Sequence, residues 1–589
     1  MLRRLAFLIS VLSILVLLTG CGGGGGGGGS KPVFTATADW TNFGTGISGN
    51  SMRWTLFNTD ETLVHSIAIN RSQPGEQSAQ IANVSKGAYH LRIELFSNLD
   101  LQGTLVGVID ELIQVNGNMS YVAAIGTAPA SVKVTPETAT FKANQGKQFY
   151  AACYNAALRA TFAAPGTFDW QAFGGVATVD DFGLVQGTSA GNGTVLATHQ
   201  PSAFQDGATF TVQSATTTTT KWTVLVYINA ANDLFQFSDL NMNQMEQVAG
   251  NSQVRFVVQW KQSTDLFGGS SFNGTRRYLV KPDSSNDIKS ELVQNMGLNV
   301  DMGDKQTLQD FINWGKQFYP ADRYCLVIWN HGNGWRRGVD REYPTRAVSY
   351  DDETGNSIQT WELSQALGNN HFDIVAWDAS LMQMMEVAYE IKDKADYVVG
   401  SEESPPGAGY PYHLVFAPWK DNPDASTLAL TESFVTGPMQ FYQNDPSAKI
   451  TQSVLDTSQL GALATQINTL ATELTNNVGS LGTLIPDVRS NAKSYSPTFG
   501  RVYRDLWDVC DRIQTGTAVV SLQNACSAVK TAIGNAVKFE GHKSSSNGSH
   551  GISIDFSSSA QFGGQVGTDY GNLKFATDTG WNEWLNIAP

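Results

Sequence analysis

The chain has 589 residues, 41% hydrophobic and 15% charged, with a formal net charge of -15 and a pI near 5.0. That length exceeds one ordinary core, so several domains are expected, and the composition is globular rather than disordered. An acidic chain gains nothing from counterion release on a phosphate backbone, which excludes nucleic acid as a partner.

In chain order, Arg3 and Arg4 open a basic stretch, and Leu5 to Leu18 is an apolar run too short to span a bilayer comfortably. Residues 1–20 therefore read as an export signal, and the glycines from Gly22 to Gly29 make 21–30 a flexible tether. Residues 31–128 read as all-β. Tyr89, Leu91, Ile93 and Leu95 alternate with His90, Arg92 and Glu94, the period of a half-buried strand. A second β module spans 131–214, opened by Val132-Lys133-Val134-Thr135-Pro136, and 215–220 is a threonine-rich linker. Both modules are expected to be β-sandwiches.

From 221 to 589 the pattern changes. Val224 to Ile228 is a continuous apolar run, as expected of a strand covered on both faces. Strands at Val254–Trp260, Tyr324–Trp329, Phe372–Ala376 and Asp396–Gly400 alternate with helical patterns, which predicts a doubly wound α/β sheet. Gly551–Phe556 reads as one more strand. Three strand ends carry chemistry: Asn330-His331-Gly332, Asp378-Ala379-Ser380 and Ser401-Glu402-Glu403. Reacting groups gather at the carboxyl edge of such sheets. Of the cysteines, Cys325 lies inside a strand and makes a poor nucleophile. Cys510 and Cys526 lie near the ends of consecutive helices, so a disulfide and two buried thiols are both open readings.

Three resemblances add to this. Leu18-Thr19-Gly20-Cys21 resembles a bacterial lipobox, which implies cleavage before Cys21, a lipid on its thiol and, with no aspartate following, an outer-membrane address. Asp169-Trp170-Gln171 with Gly183-Leu184-Val185 resembles a bacterial immunoglobulin-like group 2 domain, which implies a stalk. Trp329-Asn330-His331-Gly332, Asp378-Ala379-Ser380-Leu381-Met382 and Ser401-Glu402-Glu403 resemble the clostripain family of cysteine peptidases, over 221–589. That resemblance implies a caspase-like fold and cleavage after Arg or Lys. It makes His331 the catalytic histidine, puts Ser380 in the nucleophile's place and gives Asp378 the pocket for a basic side chain. Glu402 and Glu403 either add to that pocket or are loop acids. The bond Arg346-Ala347, in a polar stretch with four arginines, matches the family's processing site. No cofactor is expected. Calcium, on which some members depend, stays open, because Asp351, Asp352 and Glu353 lack EF-hand spacing. The partners implied are Arg- or Lys-bearing peptides and a membrane lipid. A peptidase weakened by serine, a pseudopeptidase that binds basic peptides and a surface adhesion protein are the three function classes.

Overall fold

The computed structural model describes residues 31–59, 63–215, 218–263, 266–336, 348–495 and 502–589. Cys21, the signal and tether, and Arg346-Ala347 lie outside them.

The region before residue 214 is strand-rich. Tyr89, Leu91, Ile93 and Leu95 are all buried, as their alternation predicts, in a core with Trp40 and Trp54. His90, expected on the polar side, is buried too. Its ring stacks on Tyr150 at 4.1 Å and on Phe57 at 5.4 Å, so a neighbouring element covers the face that the strand alone would leave wet. One six-stranded sheet takes Phe34–Asp39, Glu76–Ile81 and Met119–Ala124 from one side of residues 128–131. It takes Ser131–Thr135, Tyr150–Tyr154 and Ala160–Thr161 from the other.

The α/β domain is built on a nine-stranded sheet. Its strands in chain order are β1 (Thr220–Ala230), β2 (Val254–Gln262), β3 (Gly274–Leu279), β4 (Glu291–Gly297), β5 (Ala321–Trp329), β6 (Phe372–Asp378), β7 (Ala395–Gly400), β8 (Thr451–Asp456) and β9 (Val537–His542). The spatial order is β4-β3-β2-β1-β5-β6-β7-β8-β9. The five central strands, β2 to β7 in that order, run parallel. The four outer ones pair antiparallel. The sheet is therefore mixed: antiparallel pairs close each edge of the parallel centre, where no crossover helix is needed. Alternation within β1 shows why both faces are apolar. Val224, Val226 and Ile228 enter one core cluster, while Leu225 and Tyr227 enter the other. Helix α1 (Phe235–Val248) contributes Met242 and Met245 to the first, and α2 (Lys305–Phe318) contributes Phe311 and Ile312 to the second.

The strand read at 551–556 narrows to Ser553–Asp555. It joins a small separate sheet with Ser494–Tyr495 and Tyr503–Asp505 instead of the main one. Cys153, Cys325, Cys510 and Cys526 are all buried free thiols. Burial drives the Cys325 thiol far up from its ordinary range, which fits its reading as an inert side chain.

Candidate functional site

The site forms where β1, β5, β6 and β7 end. In the β5/β6 pair Trp329 faces Asp378, so His331 and Ser380 each lie two residues past one paired rung. Asn330 fixes the first of these ends. Its backbone N–H donates to the Asp378 carbonyl (3.2 Å). Its buried amide donates to the carbonyls of Asn229 (2.6 Å) and Tyr350 (3.0 Å) and accepts from Tyr350 N–H (2.9 Å). Gly332 then packs directly on the second end: a Cβ there would sit 2.3 Å from the Ser380 carbonyl oxygen.

Ser380 lies in a turn and is half-buried, and its hydroxyl has no hydrogen-bond partner among the described residues. The next residue, Leu381, has φ +64°. A bulky side chain in that left-handed region costs roughly 1–3 kcal/mol and persists where surrounding contacts impose it. Here Leu381 N–H donates to the Glu403 carbonyl (3.3 Å) and Gln383 N–H to that of Ser401 (3.1 Å). The following helix, α3 (Met385–Glu390), starts only after Met384, so Asp378 is not its cap.

His331 meets a residue that the motifs did not single out. Its Nε2 lies 2.6 Å from Oδ1 of Asp233, which follows the end of β1. Asp233 was findable: Asn232-Asp233-Leu234 follows a buried strand at the same sheet edge as the other three ends. The side chains of His331 and Asp233 are 25% and 63% exposed, so the pair fixes orientation more than it adds stability.

The three predicted acids do not form an open rim. Asp378 is buried. Its Oδ1 accepts from Tyr410 N–H (2.9 Å) and its Oδ2 from Tyr412 OH (3.0 Å). Gly409 has φ +60°, and a Cβ on it would come 2.4 Å from Asp378 Oδ1, so this covering segment requires glycine. Burial pushes the Asp378 carboxyl up to about 7 against those two donors. Glu402 is buried and turned away, with Oε2 accepting from Gly551 N–H (3.1 Å). Burial, then the charge of Asp505, drives its carboxyl well above the usual range. Glu403 is also buried, and its Oε1 accepts from Ser404 N–H (2.9 Å). Both glutamates lie on the loop after β7, and both are buried there rather than solvated.

A clamp behind the site also escaped the motifs. Asp555 Oδ2 accepts from Trp335 Nε1 (2.9 Å) and pairs with Arg336 Nε (2.8 Å), tying down the loop that carries His331. The Asp555 N–H donates to Glu386 Oε1 (2.9 Å) in α3, the helix that follows Ser380. One strand thus holds both halves of the site. Burial, then Asp555, pushes the Glu386 carboxyl up to about 8. Asp351 and Glu353, named above in connection with calcium, both pair at 2.8 Å with the buried ammonium of Lys261, which occupies them.

The fold thus brings a histidine and a hydroxyl to adjacent strand ends of an α/β domain, with buried acids beneath. The chain belongs to the Clostripain family, whose family model matches residues 226–587. It is similar to "Clostripain" of Hathewaya histolytica, 30% identical over 217 residues, which is 33% of this chain and 38% of that protein. The chain thus spans well under half the length of that relative. Among solved structures it resembles an inactive zymogen C11 protease from Parabacteroides distasonis, at 22% identity and TM-score 0.48 over 62% of this chain and 99% of the other. It also resembles a secreted C11 cysteine protease from Bacteroides thetaiotaomicron in complex with an irreversible peptide inhibitor. That match has 21% identity and TM-score 0.47, with the same coverage of 62% and 99%.

Proposed function

We propose that this chain is a clostripain-type peptidase homologue that engages peptides at Arg or Lys and turns them over slowly. In this reading Ser380 stands where the family resemblance calls for a cysteine. The observation that supports it is the unpartnered hydroxyl of Ser380 beside a histidine whose Nε2 is engaged by Asp233. A thiol with a pKa near about 8.5 ionises readily, whereas a hydroxyl must pass its proton to a base as it attacks. With Nε2–H donated to Asp233, Nδ1 is the nitrogen left to accept that proton. Asp378 serves the basic side chain through a charge-assisted pair once the 404–411 segment is displaced from it.

A fluorogenic Arg peptide, offered to the full chain, tests this. Arg and Lys peptides should bind, with turnover far below that of Ser380→Cys. Equal turnover of the two proteins would sink the slow-serine reading, and failure to bind either peptide would sink the specificity. The same free hydroxyl favours a second reading, a pseudopeptidase that binds basic peptides only. If Ser380→Ala keeps whatever trace turnover the wild type has, the second reading stands.

The N-terminal part of the proposal is an envelope protein: Cys21 lipidated, the glycines as tether, and two β-sandwich modules, the second immunoglobulin-like, as stalk. Cells fed a labelled fatty-acid analogue should mark the wild type and not Cys21→Ala. Equal labelling would remove the anchor.

A further inference from the structure

The loop that follows β7 carries Glu402, and the turn 549–551 closes over it. Two consecutive backbone groups of that turn bring two carboxyls side by side. His550 N–H donates to Asp505 Oδ2 (2.6 Å), and Gly551 N–H donates to Glu402 Oε2 (3.1 Å). Both carboxyls are buried, Glu402 at 1% and Asp505 at 0% exposure. Asp505 Oδ1 accepts from Asp508 N–H (2.7 Å), capping the helix Leu506–Gly516, and lies 2.9 Å from Nδ1 of His550. Glu402 Oε1, by contrast, has no hydrogen-bond partner. A buried carboxylate oxygen without a donor is costly. A proton on Glu402 makes it a donor instead, and Asp505 is the neighbour whose carboxylate can accept it.

Among the described residues, no lysine or arginine stands at ion-pair distance from either carboxyl. Lys493 feels both charges, but its ammonium lies 5.5 Å from the centre of the Tyr495 ring. Burial pulls its pKa down against Glu403, Glu402 and Asp505, and Lys449 adds to that pull. Tyr495 donates its OH to Ser549 Oγ (2.9 Å). Other charges facing the pair have partners of their own. Glu540 pairs with His542 on β9 (2.6 Å) and Asp508 with Arg512 (3.1 Å). Lys530, which lies over the Trp507 ring on which His550 stacks, pairs with Asp511 (2.7 Å).

These groups lie behind the Ser380 turn. The carbonyls of Glu403 and Ser401 accept from Leu381 and Gln383 N–H, and Ser553 N–H donates to the Gln383 carbonyl (3.0 Å). Residues 401–403 and the chain leaving Gly551 thus grip that turn from both sides. Gly551 leaves no slack: it has φ +92°, and a Cβ on it would meet the Ser453 side chain at 2.9 Å.

We propose that Glu402, Asp505 and His550 form a pH-sensitive latch. In acid it locks the 549–551 turn onto the loop after β7 and holds the Ser380 turn in place; as pH rises it opens and frees that turn. Without the proton, Glu402 and Asp505 are two buried like charges held by one short turn, and they repel.

The two titrations act in one direction. Burial, then Asp505, raises the Glu402 carboxyl well above its ordinary 4.5. Burial opposes a charge on His550, but the hydrogen bond and charge of Asp505 outweigh it and raise the ring above 6.5. The folded state therefore holds protons that the unfolded chain releases at lower pH. The contribution of the latch is full below about pH 4.5 and is lost as pH rises through the folded values.

Hydrogen–deuterium exchange of the full chain tests this, read by mass spectrometry at about pH 5.5 and about pH 8.5 and corrected for the intrinsic rate. In the wild type, protection of amides 381–383 should fall about tenfold or more at the higher pH, while the amides of β1 keep theirs. Glu402→Gln, whose amide donates to Asp505 with no proton to lose, should stay protected at both pH values. Equal wild-type protection of 381–383 at the two pH values would overturn the proposal. So would a loss in Glu402→Gln that matches the wild type, or a loss that extends to β1. The wild-type comparison decides by itself if the variant does not fold.

Discussion

Oδ1 of Asp233 stands 2.6 Å from Nε2 of His331 and fixes which ring nitrogen of the histidine is free. With a cysteine at position 380 this relationship becomes measurable. Ser380→Cys is expected to raise Arg-directed cleavage, and His331→Ala in that background should remove about 10²–10⁴-fold of it. Adding Asp233→Ala to Ser380→Cys should cost up to about 10²-fold through misorientation of the ring. A Ser380→Cys protein that is folded but inert would mean that the site has drifted beyond recovery.

Gly332 has no room for a side chain, because the Ser380 carbonyl lies where its Cβ would go. The obstacle is backbone, so it cannot rotate away. Gly332→Ala is expected to destabilise the protein by about 1–3 kcal/mol in denaturant unfolding. It should also lower cleavage in the Ser380→Cys background, since it pushes apart the two loops of the site. Unchanged stability would show that these loops separate freely.

Asp378 should leave a signature in pH. Its carboxyl is pushed up to about 7 in the folded protein, from 3.8. The folded state therefore keeps a proton that the unfolded chain releases. This site's contribution to stability is full below about pH 4, falls as pH rises, and levels off above about pH 7. Asp378→Asn removes the titration. Its melting temperature relative to wild type should increase between pH 5 and pH 8, and a difference flat over that range would contradict a buried carboxylate.

Lys261 sits between Asp351 and Glu353 with its side chain 1% exposed. Lys261→Ala leaves Asp351 buried without its cation, a loss of about 3–5 kcal/mol. Chemical denaturation should show it, and a loss below 1 kcal/mol would mean that water reaches Asp351 readily.

Much of this was legible in the sequence, for identifiable reasons. Continuous apolar runs marked β1, β5 and β6, because a strand covered on both faces leaves no other pattern. The outer strands β3 and β4 were missed: Gly274–Leu279 holds two adjacent arginines, Arg276 and Arg277, and reads as polar, yet both are buried. At the candidate site, the motifs singled out His331 and Ser380, which the fold brings to adjacent strand ends. It could not tell that Asp378 would be roofed by Gly409 and Tyr410, since that contact joins residues 32 positions apart through hydrogen bonds that leave no periodicity. Asp233 follows a buried strand at the same sheet edge and could have been found there, whereas Asp555 and Glu386 were invisible for the same reason. Each acts through a partner contributed by a distant stretch of chain.

The sheet that runs through residues 34–39, 76–81, 119–124, 131–135, 150–154 and 160–161 has a consequence for inheritance. The parallel pairing of Met119–Ala124 with Ala160–Thr161 is the seam between its two halves. Splitting the gene at residues 128–131 would leave a bare strand edge on each fragment, open to pairing with any other chain. Recombination at that point is penalised by the sheet itself. The two stretches are expected to travel through evolution as a single cassette, gained or lost together.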